Sequence, residues 1–336
     1  VDAGVVAATA LALAFAFTNG FHDSANAIAT LVATRSAKPG AALVLVVACI
    51  FVGPFLLGSA VAKTIAGIVD VEPGATLEVA VAALVAALAW NLATWYRGLP
   101  SSSTHALVGG LVGAAIAAAG LDAVNWASLD GWRPAGVLGV LVGLAIAPPL
   151  GAAAALLALR AFRRGLRRGT RRFAVPIRRA QWATAGLLAV SQGANDVQKA
   201  VGVVSAVLLA EGSTSSLHAP WSLTLGVALA MAAGTAFGSW RIVRTIGRRI
   251  YDLRPLDSLA SQTGSSAVVL SASVAGAPVS TTHVVASSVV GVGGGRRRWS
   301  RIRWAVVREM GVAWVLTIPA TAALAGVALA AWRWLT

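Results

Sequence analysis

Apolar residues occur along this chain in long stretches, without the alternation of a half-buried strand or the spaced stripe of a surface helix. The stretches fall near 4–34, 41–66, 77–96, 104–120, 135–159, 182–210, 221–243, 257–276, 280–295 and 304–334. Most approach or exceed the ~20 residues that a helix needs to cross a bilayer. Lipid offers backbone N–H and C=O groups no partners, so such runs are stable there only as helices. The pattern predicts an all-α, polytopic membrane protein with about ten segments. Residues 4–17 have no basic leader and no cleavage signal, and read as the start of the first span.

The polar positions inside these stretches recur. Residues 20–30 read Gly-Phe-His-Asp-Ser-Ala-Asn-Ala-Ile-Ala-Thr, and residues 193–203 read Gly-Ala-Asn-Asp-Val-Gln-Lys-Ala-Val-Gly-Val. Farther along each half, Pro100-Ser101-Ser102-Ser103-Thr104-His105 is answered by Pro278-Val279-Ser280-Thr281-Thr282-His283. Two motifs in the same order at near-equal spacing indicate internal duplication. The expected halves are 1–160 and 181–336, joined by a basic cytoplasmic linker, 161–180. Five segments per half is an odd number, so the second copy lies upside down relative to the first. In such inverted repeats the site lies near the midplane, where broken or re-entrant helices meet.

Composition fits a bilayer. The chain is 57% hydrophobic and 12% charged, against roughly 25% charged for a soluble domain. Its net charge of +15 would suggest nucleic acid on a soluble protein, but no aromatic platform or nucleic-acid motif accompanies it. With the N-terminus outside, 23 of the 27 Lys and Arg residues fall on the inner face. They include Arg35, Arg97, the arginines from Arg160 to Arg179, and clusters near Arg241 and Arg296. Asp70, Glu72, Glu78 and Asp122 fall outside. The predicted orientation in the cell membrane is N-out and C-out, with the basic linker against anionic headgroups. A single cysteine, Cys49, excludes an intrachain disulfide and a cysteine-based metal site.

Asp23 and Asp196 each interrupt an apolar span, at a cost of at least ~2.5–3.5 kcal/mol on insertion scales, so a functional partner is expected. Asn19-Gly20 and Gln192-Gly193 precede them and predict a loosened turn. Carbonyls exposed there, with the two carboxylates, would suit a small hard cation such as sodium. The same carboxylates would alternatively take up a proton. His22 and Asn195 flank them in this cation or proton site. The Pro-Ser/Thr motifs read as helix N-termini. Two facing each other would offer N–H groups, hydroxyls and positive dipole ends to a tetrahedral oxyanion. The candidate anion ligands are Ser102, Ser103, Thr104, Ser280, Thr281 and Thr282, with Asn26 and Lys199 adding donors. Lys199 stands where the first repeat has Asn26. Its ammonium would pair with Asp196, contact the anion, or take a coupling cation's place. His105 and His283 are supporting residues that orient the loop, pair with an Asp or carry a proton. Their spacing from the aspartates is not that of a zinc site. Gly109, Gly110, Gly113, Gly291 and Gly293 are read as close-packing positions.

These motifs resemble the inorganic phosphate transporter (PiT) family. Gly20-Phe21-His22-Asp23-Ser24-Ala25-Asn26-Ala27 is similar to its first signature, and Gly193 to Lys199 to the second signature of its bacterial low-affinity branch. Trp90-Asn91-Leu92-Ala93-Thr94-Trp95-Tyr96, followed by Gly98-Leu99-Pro100 and Ser101 to His105, is also similar to that branch. The resemblance runs from about residue 18 to 295. It implies import of inorganic phosphate by symport with a proton or sodium through alternating access, without a cofactor, at a site formed by the duplicated motifs. Some family members move sulfate, so a sulfate permease is the alternative, and an anion channel a further one. The expected partners are phosphate and the bilayer, and a homodimer is plausible. No enzyme is expected, because a duplicated symmetric arrangement is not that of a catalytic triad.

Overall fold

The computed structural model describes residues 3–130, 133–166, 173–217, 219–238 and 240–335. The first half contains α1 (Ala3–Ala33), α2 (Pro39–Leu56), α3 (Ala60–Ala66), α4 (Pro73–Tyr96), α5 (Ser103–Ala119) and α6 (Gly136–Gly165). The second contains α7 (Ala174–Ala210), α8 (Trp221–Phe237), α9 (Trp240–Arg244), α10 (Pro255–Val274), α11 (Thr281–Gly295) and α12 (Trp304–Leu335). A two-stranded antiparallel ribbon, Ser128–Asp130 with Arg133–Ala135, lies between α5 and α6. The chain is an all-α, multi-pass membrane protein built from two inverted repeats. Proline begins α2, α4 and α10, where its missing N–H costs nothing.

Two expected spans are interrupted. Segment 41–66 breaks at Leu57–Ser59 into α2 and the short α3, and segment 221–243 breaks at Gly238, which has φ +63°, before α9. A π-helical turn, Thr245–Arg249, continues α9. Helices α5 and α11 have 17 and 15 residues. At 1.5 Å per residue they reach only about 25 and 22 Å, short of a ~30 Å hydrocarbon core. Each packs against the helix before it, so α4–α5 and α10–α11 are hairpins. Helix α10 keeps Ser258, Ser261, Gln262, Ser265 and Ser266 buried, which sets its polar face against protein rather than lipid.

The two halves exchange partners. Helix α1 lies against α8 as α7 lies against α2, and α6 packs on α10 and α11 as α12 packs on α4 and α5. Glycine makes the first pair of contacts close. A Cβ on Gly20 or Gly234 would overlap the carbonyl of Met231 or Phe17. In the mirrored interface, a Cβ on Gly193 or Gly53 would overlap that of Ile50 or Val190. This corrects the expectation of a loosened turn at Asn19-Gly20 and Gln192-Gly193. Both α1 and α7 stay helical through these pairs. Their glycines let helices approach, as small residues do in lipid, where there is no water to drive association. Gly113 and Gly291 pack about as closely on Ala322 and Ala152, and Gly110 a little less closely on Ala83.

Helix α6 runs to Gly165 and α7 begins at Ala174, so helix enters the basic segment from both sides. Arg167, Arg168, Arg171 and Arg172 lie outside the described residues.

Candidate functional site

Each Pro-Ser/Thr motif forms the predicted helix start. Ser102 caps α5 by accepting from the His105 N–H at 3.1 Å, and Ser280 caps α11 by accepting from the His283 N–H at 3.3 Å. The first N–H groups bonded within these helices are those of Ala106, to Ser102 O, and Val284, to Ser280 O, so the N–H groups of Ser103, Thr104, Thr281 and Thr282 ahead of them have no intrahelical acceptor. The two starts meet in the interior. Thr104 Oγ1 donates to Val279 O at 3.0 Å, just ahead of α11, and the His105 and His283 rings lie 4.7 Å apart. Trp314 stacks on His283 at 3.7 Å and donates to Pro100 O at 3.1 Å, tying α12 to both motifs.

The aspartates of α1 and α7 reach the same place. Thr282 Oγ1 donates to Asp23 Oδ1 at 2.6 Å, and Thr281 Oγ1 donates to Asp196 Oδ2 at 3.3 Å. Asn26 Nδ2 donates to Thr281 Oγ1 at 3.4 Å and Thr282 Oγ1 at 3.2 Å, while its Oδ1 has no partner. Lys199 Nζ donates to Asp196 Oδ1 at 2.5 Å, Thr104 Oγ1 at 2.6 Å and Val279 O at 2.9 Å. All of these side chains are buried. Asn26, Asp23, Lys199, Asp196, Thr104, Thr281 and Thr282 therefore form one network, with Ser102, Ser103 and Ser280 at the adjoining helix starts.

Asn195 and His22 take different parts at equivalent positions. Asn195 Nδ2 donates to Ser273 Oγ at 3.1 Å and Ala277 O at 3.2 Å, and its Oδ1 accepts from Val279 N at 3.3 Å. It braces the turn between α10 and α11. His22 Nδ1 lies 3.3 Å from Asp23 Oδ1, and its Nε2 lies 3.4 Å from Thr94 Oγ1, which Ser101 contacts at 3.0 Å. Thr94 and Ser101 are site neighbours that the sequence reading did not select, although both fall within its motifs. Gln198 was also passed over, and Gln192 was read only as part of a loosened turn. Gln192 Nε2 donates to the Asp23 carbonyl at 3.0 Å, and Gln198 Oε1 accepts from Val61 N at 2.9 Å, at the start of α3. Asn19, one turn before Asp23, is buried with neither amide atom partnered, and Gln192 Oε1 has no partner either. These oxygens, with Asn26 Oδ1 and the Asp23 carboxylate, have the chemistry to hold a small hard cation.

Similar contacts close the two hairpin turns. Thr64 Oγ1 in α3 donates to Gly276 O at 2.7 Å, and Thr245 Oγ1 after α9 donates to Gly98 O at 3.2 Å. Both glycines are left-handed, with φ +74° and +65°, a backbone that favours glycine. A cavity of about 860 Å³ lies on the Thr64 side, lined by Lys63, Asn125, Gly136, Ser273, Gly276 and Pro278. On the Thr245 side, Arg241 Nη1 donates to Tyr96 O at 2.5 Å.

A family model described as the phosphate transporter family matches residues 19–177 and 167–325, one stretch for each half. The chain belongs to this family. It is 39% identical to a probable low-affinity inorganic phosphate transporter of Bacillus subtilis (strain 168), over 94% of this chain and 93% of that protein. A probable low-affinity inorganic phosphate transporter of Mycobacterium tuberculosis (strain ATCC 25618 / H37Rv) is 41% identical, over 92% of this chain and 72% of that one. Among solved structures, one titled "The sodium-dependent phosphate transporter" superposes with a TM-score of 0.87 over the full length of both chains, at 24% identity. That likeness establishes the fold. Membership of the family agrees with the resemblance carried by the Asp and Ser/Thr motifs, the same residues that meet in the network.

Proposed function

We propose that this protein imports inorganic phosphate across the cytoplasmic membrane by symport with sodium or protons, exposing its site alternately to the two sides. The observation that carries this reading is the meeting of two capped helix starts with two buried aspartates. Free N–H groups at the two helix starts suit the anion, with the threonine hydroxyls able to turn to it from their present acceptors, and the carboxylates suit the cation or proton. Placing cation beside anion offsets part of the desolvation cost of each, so neither enters well alone. That is a physical reason for coupling. The ligands proposed for phosphate are Ser102, Ser103, Thr104, Ser280, Thr281 and Thr282, with Asn26. Asp23 with His22, and Asp196, frame the coupling sites, with Asn195 holding the turn beside Asp196 in place. The positions of the arginines support an N-out, C-out orientation.

Sulfate is the competing substrate within such a site. Phosphate can donate a hydrogen bond to a carboxylate, whereas fully ionised sulfate cannot, and the two aspartates favour phosphate on that ground. The test is labelled phosphate uptake into proteoliposomes under a sodium gradient and, separately, a proton gradient. Uptake driven by one of them and resistant to excess sulfate is expected. Asp23→Asn and Asp196→Asn should each abolish it while the protein stays monodisperse. Normal uptake by either variant, or stronger inhibition by sulfate than by unlabelled phosphate, overturns the reading.

A further inference from the structure

The two half-sites differ in charge at one position. In the first, Asn26 sits three residues after Asp23, and among the described residues no Lys or Arg pairs with that aspartate. In the second, Lys199 sits three residues after Asp196 and is completely buried. An ammonium has three N–H donors. Those of Lys199 are matched by three oxygens, Asp196 Oδ1, Thr104 Oγ1 and Val279 O, at 2.5, 2.6 and 2.9 Å. No donor remains for an anion. The three oxygens are a carboxylate, a hydroxyl and a main-chain carbonyl in the turn before α11, the oxygen types that hold small hard cations.

We infer that Lys199 is a tethered substitute for a coupling cation. The Asp196 half-site is permanently loaded by a cation that never leaves, and only the Asp23 half-site takes a mobile one. The inference rests on the symport reading and refines it: each cycle carries one cation fewer than it would with asparagine at both positions. It also gives Lys199 a role other than contact with phosphate. Its charge compensates Asp196 and holds the turn before α11 in place.

The test is Lys199→Asn, which copies the first half-site. Equilibrium dialysis with ²²Na⁺ on the purified full chain, with and without inorganic phosphate, counts bound sodium. K199N is expected to bind one more sodium ion per chain than the wild type. Equal numbers overturn the inference. The double variant D196N/K199N, which removes both charges, is expected to return to the wild-type number, and an added ion there also overturns it. Loss of the lysine leaves Asp196 buried and uncompensated, so K199N is expected to be less thermostable and to be rescued by sodium but not by choline. Instability that sodium fails to relieve overturns the proposal. These readouts need no transport. Failure of wild-type phosphate uptake would count against the symport reading, and the sodium difference between K199N and wild type would still decide the role of Lys199.

Discussion

Thr282 links two other site residues through one hydroxyl. It accepts from Asn26 and donates to Asp23 at 2.6 Å. Valine has nearly the same shape without the hydroxyl, so Thr282→Val leaves the carboxylate short of a donor. Hydrogen bonds to charged groups contribute about 1.5–3 kcal/mol, and each ~1.4 kcal/mol is a factor of ten. Uptake by T282V at limiting phosphate should fall roughly 10–100-fold, whereas Thr282→Ser should keep most of it; initial-rate measurements separate them. At this scale the sequence was informative. Asp23, Asn26, Asp196 and Lys199 stand out because polar groups are costly in an apolar run. Their partners were less legible. Asn26 bonds threonines of the opposite half, and Thr94 enters only because folding brings it to His22. Neither fact has a local signal.

Helix positions were legible from hydrophobic runs, and the helix starts from Ser and Thr after proline. The asparagine–glycine and glutamine–glycine pairs were misread as loosened turns. Glycine weakens an isolated helix by about 1 kcal/mol relative to alanine, but here it supplies room for a neighbouring backbone. Packing outweighs propensity, and only the partner helix reveals it. Gly193→Ala and Gly234→Ala should each destabilise the protein by about 1–3 kcal/mol, the usual cost of overpacking. Gly311→Ala lies in α12 with nothing near its would-be Cβ and should be neutral or slightly stabilising. Thermal unfolding in detergent reads all three. The exchange of α6 and α12 between halves was likewise hidden, because apolar runs say where helices are and not which ones touch.

Viewed whole, the molecule carries a threonine latch at each hairpin turn, Thr64 on Gly276 and Thr245 on Gly98. If access alternates, weakening one latch should favour opening on its own side. In a Cys49→Ala background, Val140→Cys in the wall of the Thr64-side cavity reports that opening. Thr64→Val should speed its labelling by a membrane-impermeant maleimide, and Thr245→Val should slow it. Equal changes in both variants would mean that the latches are not opposed.

The close approach of Gly20 to Met231, and of Gly193 to Ile50, joins residues far apart in synthesis. When α1 and α2 leave the ribosome, the helices that cover them do not yet exist. At 5–20 residues per second, roughly 10–40 s pass before α8 follows α1. During that interval the buried face of α1, with Asn19, Asp23 and Asn26, lies in the membrane without its partners. A nascent chain stalled near residue 170 is therefore a half-finished intermediate, with the faces of α1 and α2 that the second repeat covers still open.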